Sequence, residues 1–238
     1  MNTRIAELER DGVIDFTRQR DWYDSMSSSH TLTVIGGGGI GSLFTMLAGK
    51  LGINKIKVYD DDLVEAHNLP NQFFALNDFG HTKVDSLGRA VEAFTVSEFE
   101  GFAERVTAET RLAGIVVSGV DSMAARQEIA KAVYANRFNV SQYWDARLGG
   151  EKIVIYSVNP KDPEQWAFFM KTLHSDEEAV QDPCTRRSVI DVMGHVGSHL
   201  LTGVRKFLAG EQPPGMVYVD IENNKIFTAT LEAATAGE

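Results

Sequence analysis

Val34-Ile35-Gly36-Gly37-Gly38-Gly39-Ile40-Gly41-Ser42 is the stretch on which the reading of this chain turns. Gly36, Gly38 and Gly41 fall on the G-x-G-x-x-G spacing of dinucleotide-binding turns. Thr31 to Ile35, just before it, is β-rich and predicts a strand, while Ser42 to Leu51, just after it, predicts a helix. A strand, turn and helix in that order aim backbone N–H groups and the positive end of the helix at a phosphate. Gly36 then permits the tight turn, Gly38 lets phosphate approach the backbone, and Gly41 lets helix pack on strand, with Gly39 in the same cradle. The spacing alone leaves open a glycine-rich turn that binds nothing.

Working outward, Lys55 to Tyr59 predicts a second strand, ending in Asp60-Asp61-Asp62. Folds of this kind place a carboxylate there on the ribose hydroxyls, so Asp60 is the expected ribose ligand, with Asp62 beside it. The pentapeptide Asn68-Leu69-Pro70-Asn71-Gln72 follows, then Gly80-His81-Thr82-Lys83. Further on, Gly114 to Gly119 predicts a buried strand that runs into Val120-Asp121-Ser122 and a helix bearing Arg126. Taken singly, an acidic triplet and one lysine more often form a solvated face, so the claim rests on their joint spacing.

In this order the segments resemble the ThiF/MoeB/HesA family, relatives of ubiquitin-activating enzymes, whose pattern runs GxGGxGS, D-x-D-x-V, N-L-x-R-Q and G-x-x-K. The resemblance covers nearly the whole chain and implies ATP and Mg²⁺ as cofactors. It makes Asp60 the ribose contact, puts Asn68, Asn71, Gln72 and Lys83 around the triphosphate, and gives Asp121 to Mg²⁺. Where the family usually has Arg, this chain has Asn71, which can donate a hydrogen bond but brings no charge. Phe16-Thr17-Arg18-Gln19-Arg20 resembles the family's R-Y-x-R-Q segment, which supplies an arginine to the neighbouring subunit's ATP. That implies a homodimer with Arg18, or secondarily Arg20, acting in trans. The implied reaction is adenylation of a C-terminal carboxylate of a ubiquitin-like or sulfur-carrier protein, giving acyl adenylate and pyrophosphate.

Several relatives hold a structural zinc through two C-x-x-C pairs, whereas this chain has only Cys184, so no zinc is expected. Cys184 lies in Gln181-Asp182-Pro183-Cys184-Thr185-Arg186, which resembles the P-x-C-T stretch around the family's thioester cysteine, except that Pro183 adjoins the cysteine directly. It reads either as a covalent acceptor or partner in sulfur transfer, or as an inert small residue. Two other classes stay open. An NAD-dependent oxidoreductase explains Gly36 to Gly41 and Asp60 but leaves N-L-P-N-Q, Lys83 and Asp121 without roles. A decayed partner-binding subunit is motivated by Asn71.

Composition sets the frame. The 238 residues, 43% of them hydrophobic, supply the core of one α/β domain over 1–238, with an N-terminal arm at 1–29 and a crossover loop at about 159–188. The expected fold is a Rossmann-like, mostly parallel sheet with helices on both faces, extended by antiparallel strands at the C-terminal end. A net charge of −10 argues against nucleic acid as a partner. No segment reads as a membrane span or signal peptide, and a cytoplasmic protein is expected. His195 and His199 lack the Glu of H-E-x-x-H and are not read as a metal site. Asp145 to Gly150, between the strands Val140 to Trp144 and Ile153 to Val158, reads either as a lining of the nucleotide pocket or, preferred, as a turn, with Arg147 a candidate contact for a substrate carboxylate. Asn159 to Pro183 reads as a crossover loop whose Trp166, Phe168 and Phe169 either anchor a partner or, as is commoner, pin the loop to the core.

Overall fold

The computed structural model describes residues 3–24, 30–173 and 189–231. After helix α1 (Thr3–Arg10), the chain alternates: β1 (Thr31–Ile35), α2 (Gly39–Leu51), β2 (Lys55–Tyr59), α3 (Lys83–Phe94), β3 (Glu98–Phe102), β4 (Gly114–Ser118) and α4 (Met123–Ala135). It continues through β5 (Val140–Gly149), β6 (Lys152–Val158), α5 (Pro163–Lys171), α6 (Ile190–Leu208), β7 (Met216–Asp220) and β8 (Lys225–Ala229). The eight strands form one sheet in the order β3-β2-β1-β4-β5-β6-β7-β8. Pairs from β3 through β5 are parallel, and those from β5 through β8 are antiparallel, which is the expected architecture.

The chain winds outward from β1 through β2 to β3, then returns to lay β4 on the other side of β1. The two crossovers diverge at that point, opening a crevice at the carboxyl ends of β1 and β4, the position where open α/β sheets bind ligands. The central strands are covered on both faces, so β1 and β4 are buried almost end to end. On one face Leu32, Val34 and Trp144 pack with Phe44 of α2, Leu87 of α3 and Val196, Leu200 and Val204 of α6. On the other, Ile35, Val116 and Tyr143 pack with Ile129 and Val133 of α4 and with Trp166 and Phe169 of α5.

Two local expectations are corrected. Asp145 to Gly149 is not a turn, because β5 stays paired with β6 from Tyr143–Val158 to Gly149–Lys152. Only Gly150, at φ +60°, and Glu151 reverse the chain. The strand tolerates its charged residues because Asp145 is wholly buried yet bonded to two arginines. Residues 163–171 are helix rather than loop: Pro163 sits in the first turn, where its missing N–H costs nothing, and Asp162 caps the helix by accepting from the Glu164 and Gln165 amides. Trp166 and Phe169 are buried, as expected of core anchors.

Candidate functional site

A cavity of about 570 Å³ opens at the carboxyl ends of the parallel strands, within the range of small-molecule sites. It is lined by Gly36, Gly38 and Gly39 of the first turn, Asp60 to Asp62 after β2, Asn68, Gln72 and Lys83 of the following crossover, and Asp121 after β4. The sequence-predicted residues of four separate segments therefore converge on one space.

The glycine turn is fixed from below. The Gly36 N–H donates to the Tyr59 carbonyl at 2.9 Å, and the Gly37 N–H donates to Asp60 Oδ2 at 2.7 Å. A Cβ on Gly41 would lie 1.7 Å from the Gly36 carbonyl oxygen, so no side chain fits where α2 crosses the end of β1. Above Gly38, by contrast, a Cβ would meet nothing closer than the Gln72 amide at 3.9 Å. Gly38 is also the N-cap of α2 and brings no side-chain acceptor, so the first-turn amides of that helix face the open space. A hollow of this size, floored by uncommitted N–H groups and a positive helix end, is matched to a phosphate.

Opposite stand the charged side chains. Lys83, the first residue of α3, is 6% exposed and places Nζ 2.6 Å from Asp62 Oδ2 and 3.6 Å from Asp60 Oδ1. Thr82 caps α3 by accepting from the Asp85 N–H, which sets the start of the helix and so the direction of Lys83. Burial pushes the Asp60 carboxyl above the usual range, and Lys83 and the Asp62 and Gly37 amides offset that only in part.

The pentapeptide is a tight turn tied to α2. Asn68 is buried, its Oδ1 accepts from the Glu65 N–H at 2.8 Å, and its carbonyl accepts from the Asn71 and Gln72 amides. Ser42 Oγ accepts from the Phe73 N–H at 3.0 Å, drawing the segment onto the helix. Gln72 reaches the cavity wall and Asn71 does not line it. The side-chain oxygens of both residues are buried without a hydrogen-bond partner among the described residues.

Asp121 is exposed at the mouth, just ahead of the α4 N-cap Ser122, whose Oγ accepts from the Ala125 N–H. Arg126 points away from the cavity into a buried network centred on Asp145, which receives Arg126 Nε at 3.2 Å, Arg147 Nε at 2.6 Å and the Ser118 hydroxyl at 2.8 Å. Arg147 turns its other two nitrogens to Thr172, Nη1 donating to the carbonyl and Nη2 to Oγ1. The residue expected to meet a substrate carboxylate is thus engaged at all three nitrogens.

Arg18 is exposed in the N-terminal segment, lies outside the cavity of its own chain, and makes no hydrogen bond or ion pair among the described residues. Arg20 pairs with Glu9 at 3.3 Å. Cys184 lies outside the described residues. Among the described residues no group of three or more His, Cys, Asp or Glu is arranged to hold a metal ion, and no helix is long and apolar enough to cross a membrane. Sequence reasoning missed Glu104, Arg105 and Glu128, which also line the cavity. The first two follow β3, and the rule that residues just past the ends of parallel strands face the crevice would have found them.

Comparison with known proteins follows this geometry. The ThiF family model matches residues 11–237. The chain is similar to ubiquitin-like modifier-activating enzyme 5 of Drosophila erecta, 29% identical over 156 residues, which covers 58% of this chain and 37% of that protein. The same-named protein of Oryza sativa subsp. japonica is 28% identical over 150 residues, 55% of this chain and 34% of the relative. The matches thus span little more than a third of these relatives' length. Among solved structures, E. coli MccB with ATP superposes with a TM-score of 0.68 at 17% identity, covering 85% of this chain and 64% of that one. PaaA gives a TM-score of 0.65 at 13% identity, covering 95% and 80%. At such identities the structural likeness is one of fold.

Proposed function

The chain belongs to the ThiF family, and from that premise we propose that it adenylates a carboxylate with ATP, over a single domain spanning 1–238. The observation that carries the reading is the open hollow over Gly38 at the uncapped start of α2, facing Lys83 and Asp60 across one cavity that also contains Asp121. Asp60 would take the ribose hydroxyls, the Gly38 and Gly39 turn and Gln72 the phosphates, and Lys83 their charge. Asn68 would act by holding the pentapeptide turn, to which Asn71 belongs without lining the cavity.

In the reaction an oxygen of the substrate carboxylate attacks the α-phosphorus. A new P–O bond forms to the acyl oxygen, the bond from the α-phosphorus to the α,β-bridging oxygen breaks, and pyrophosphate leaves with that electron pair. The protein forms no bond in this step, so its contribution is positioning and neutralisation of spreading negative charge. Lys83 is suited to that because phosphate oxygens can replace Asp62 as its partner without moving the charge into water. Mg²⁺, when bound, would screen the phosphate oxygens, and Asp121 would be the carboxylate to hold it.

The family, and relatives named as ubiquitin-like modifier-activating enzymes, support the C-terminus of a ubiquitin-like or sulfur-carrier protein as the substrate. The acyl adenylate would then pass to a thiol, with Cys184 the residue of this chain to test. Arg18 would act across a homodimer.

A second reading, a partner-docking subunit with a decayed nucleotide site, is favoured by Asn71 in the pentapeptide. Calorimetric titration with MgATP and separately with NAD⁺, repeated on Asp121→Ala, separates the readings. Magnesium-dependent ATP binding lost in the variant supports adenylation and leads to a pyrophosphate-exchange assay with candidate carboxylates. No ATP binding by the wild type favours the docking subunit, and preferential binding of NAD⁺ would revive the oxidoreductase.

A further inference from the structure

The charges on the cavity wall do not balance for a polyanionic ligand. Six carboxylates line it against two cations, Lys83 and Arg105. Lys83 is already committed, buried between Asp62 and Asp60. Arg105 is held differently. Its Nε donates to Asp61 Oδ2 at 2.8 Å, while Nη1 and Nη2 make no hydrogen bond among the described residues. The side chain is 78% exposed and shares the cavity wall with Asp61, Asp62 and Asp121, whose charges favour its own, Asp61 first.

A guanidinium anchored at Nε keeps its terminal nitrogen pair in a fixed plane, and that fork matches two oxygens of a phosphate. Lysine in the same place would be a point charge without the fork. The anchor is itself set by topology, because β3 runs parallel to β2 with Phe102 beside Tyr59, and this carries the residues after both strands to the same rim.

We infer that Arg105 is a nucleotide-contacting cation, fixed by Asp61 and presenting Nη1 and Nη2 to phosphate oxygens, and that it fills the charge role Asn71 cannot. The inference rests on the nucleotide reading above and assigns that site a residue which the family motifs do not contain.

The test uses the full chain and titrates MgATP and adenosine into the wild type, Arg105→Ala, Arg105→Lys and Asp61→Asn. A lost charge-assisted contact should weaken MgATP about tenfold or more in Arg105→Ala and leave adenosine within about twofold. Arg105→Lys should restore part of the affinity, Asp61→Asn should fall between wild type and Arg105→Ala, and raising salt should hurt the wild type more than Arg105→Ala. Equal loss of ATP and adenosine would mean that Arg105 shapes the base pocket, and unchanged affinity for both would mean a surface ion pair only; either result overturns the inference while leaving adenylation intact. Failure of the wild type to bind MgATP would overturn both.

Discussion

Two glycines three residues apart are constrained by opposite things. Gly41 is constrained by its own fold, since a methyl group there would overlap the Gly36 carbonyl, and Gly41→Ala is expected to cost several kcal/mol or prevent folding. Gly38 has room for a side chain, and what enters the cavity is what a side chain there would meet. With open space above it, Gly38→Ala should cost less stability than Gly41→Ala yet abolish MgATP binding. Urea denaturation beside calorimetry separates the two, and a Gly38→Ala protein that is folded and binds ATP normally would remove the cradle from the argument. These glycines, Asp60 and Lys83 were legible because local spacing carries them. Arg105 was not, because its place depends on the register of β3 with β2, which no local pattern states.

Asp60 gives a prediction with a sign. Burial raises its carboxyl, so the stability it contributes is present below the ordinary carboxylate value and is lost as pH rises through the raised one. Asp60→Asn lacks that slope. Over the pH interval just above the ordinary carboxylate value, the stability of wild type relative to Asp60→Asn should therefore fall as pH rises, although the variant loses its ribose contact. Thermal midpoints of both proteins across that interval check the claim, and a relative gain by the wild type with rising pH would reverse it.

At the scale of elements, the Asp145 network binds β5 to α4 and α5 at once. Arg126 hydrogen-bonds the Ala146 carbonyl as well as Asp145, and Arg147 reaches Thr172 at the end of α5 while its guanidinium lies 4.7 Å from the Tyr156 ring centre. One carboxylate faces two guanidinium groups, so its removal leaves one buried and one half-buried cation uncompensated. Asp145→Ala should cost about 3–5 kcal/mol, the range for breaking a buried ion pair from one side. Arg147→Ala, which leaves Asp145 paired to Arg126, should cost less. Denaturant midpoints order the two, and equal costs would mean that the network is not centred on Asp145. The same residues explain why this part of the fold was hard to read: Asp145 and Arg147 look like turn residues until their partners, distant in sequence, are known. Pro163 misled in the same way, as a helix breaker that here starts a helix.

For the molecule as a whole, the parallel order of β3 through β5 and the antiparallel extension were legible because helices separate most of the strands up to α4, β3 and β4 excepted, and hairpins follow. What a single chain does not display is whether its cavity is complete. Arg18 is exposed and outside that cavity, which is the arrangement needed if it serves a second copy. In a two-fold dimer with shared sites, each cavity would draw Lys83 from one subunit and Arg18 from the other. Arg18→Ala and Lys83→Ala homodimers would then both be defective. Their heterodimer would have one cavity missing both residues and one missing neither. Equal mixing with free subunit exchange makes half the dimers hybrid, so about a quarter of wild-type MgATP sites should reappear, a number that follows from two-fold symmetry alone. Light scattering on the mixture establishes the dimer, and calorimetric stoichiometry counts the sites. Full binding by Arg18→Ala alone, or no recovery in a mixture shown to exchange, would place every residue the nucleotide needs within one chain.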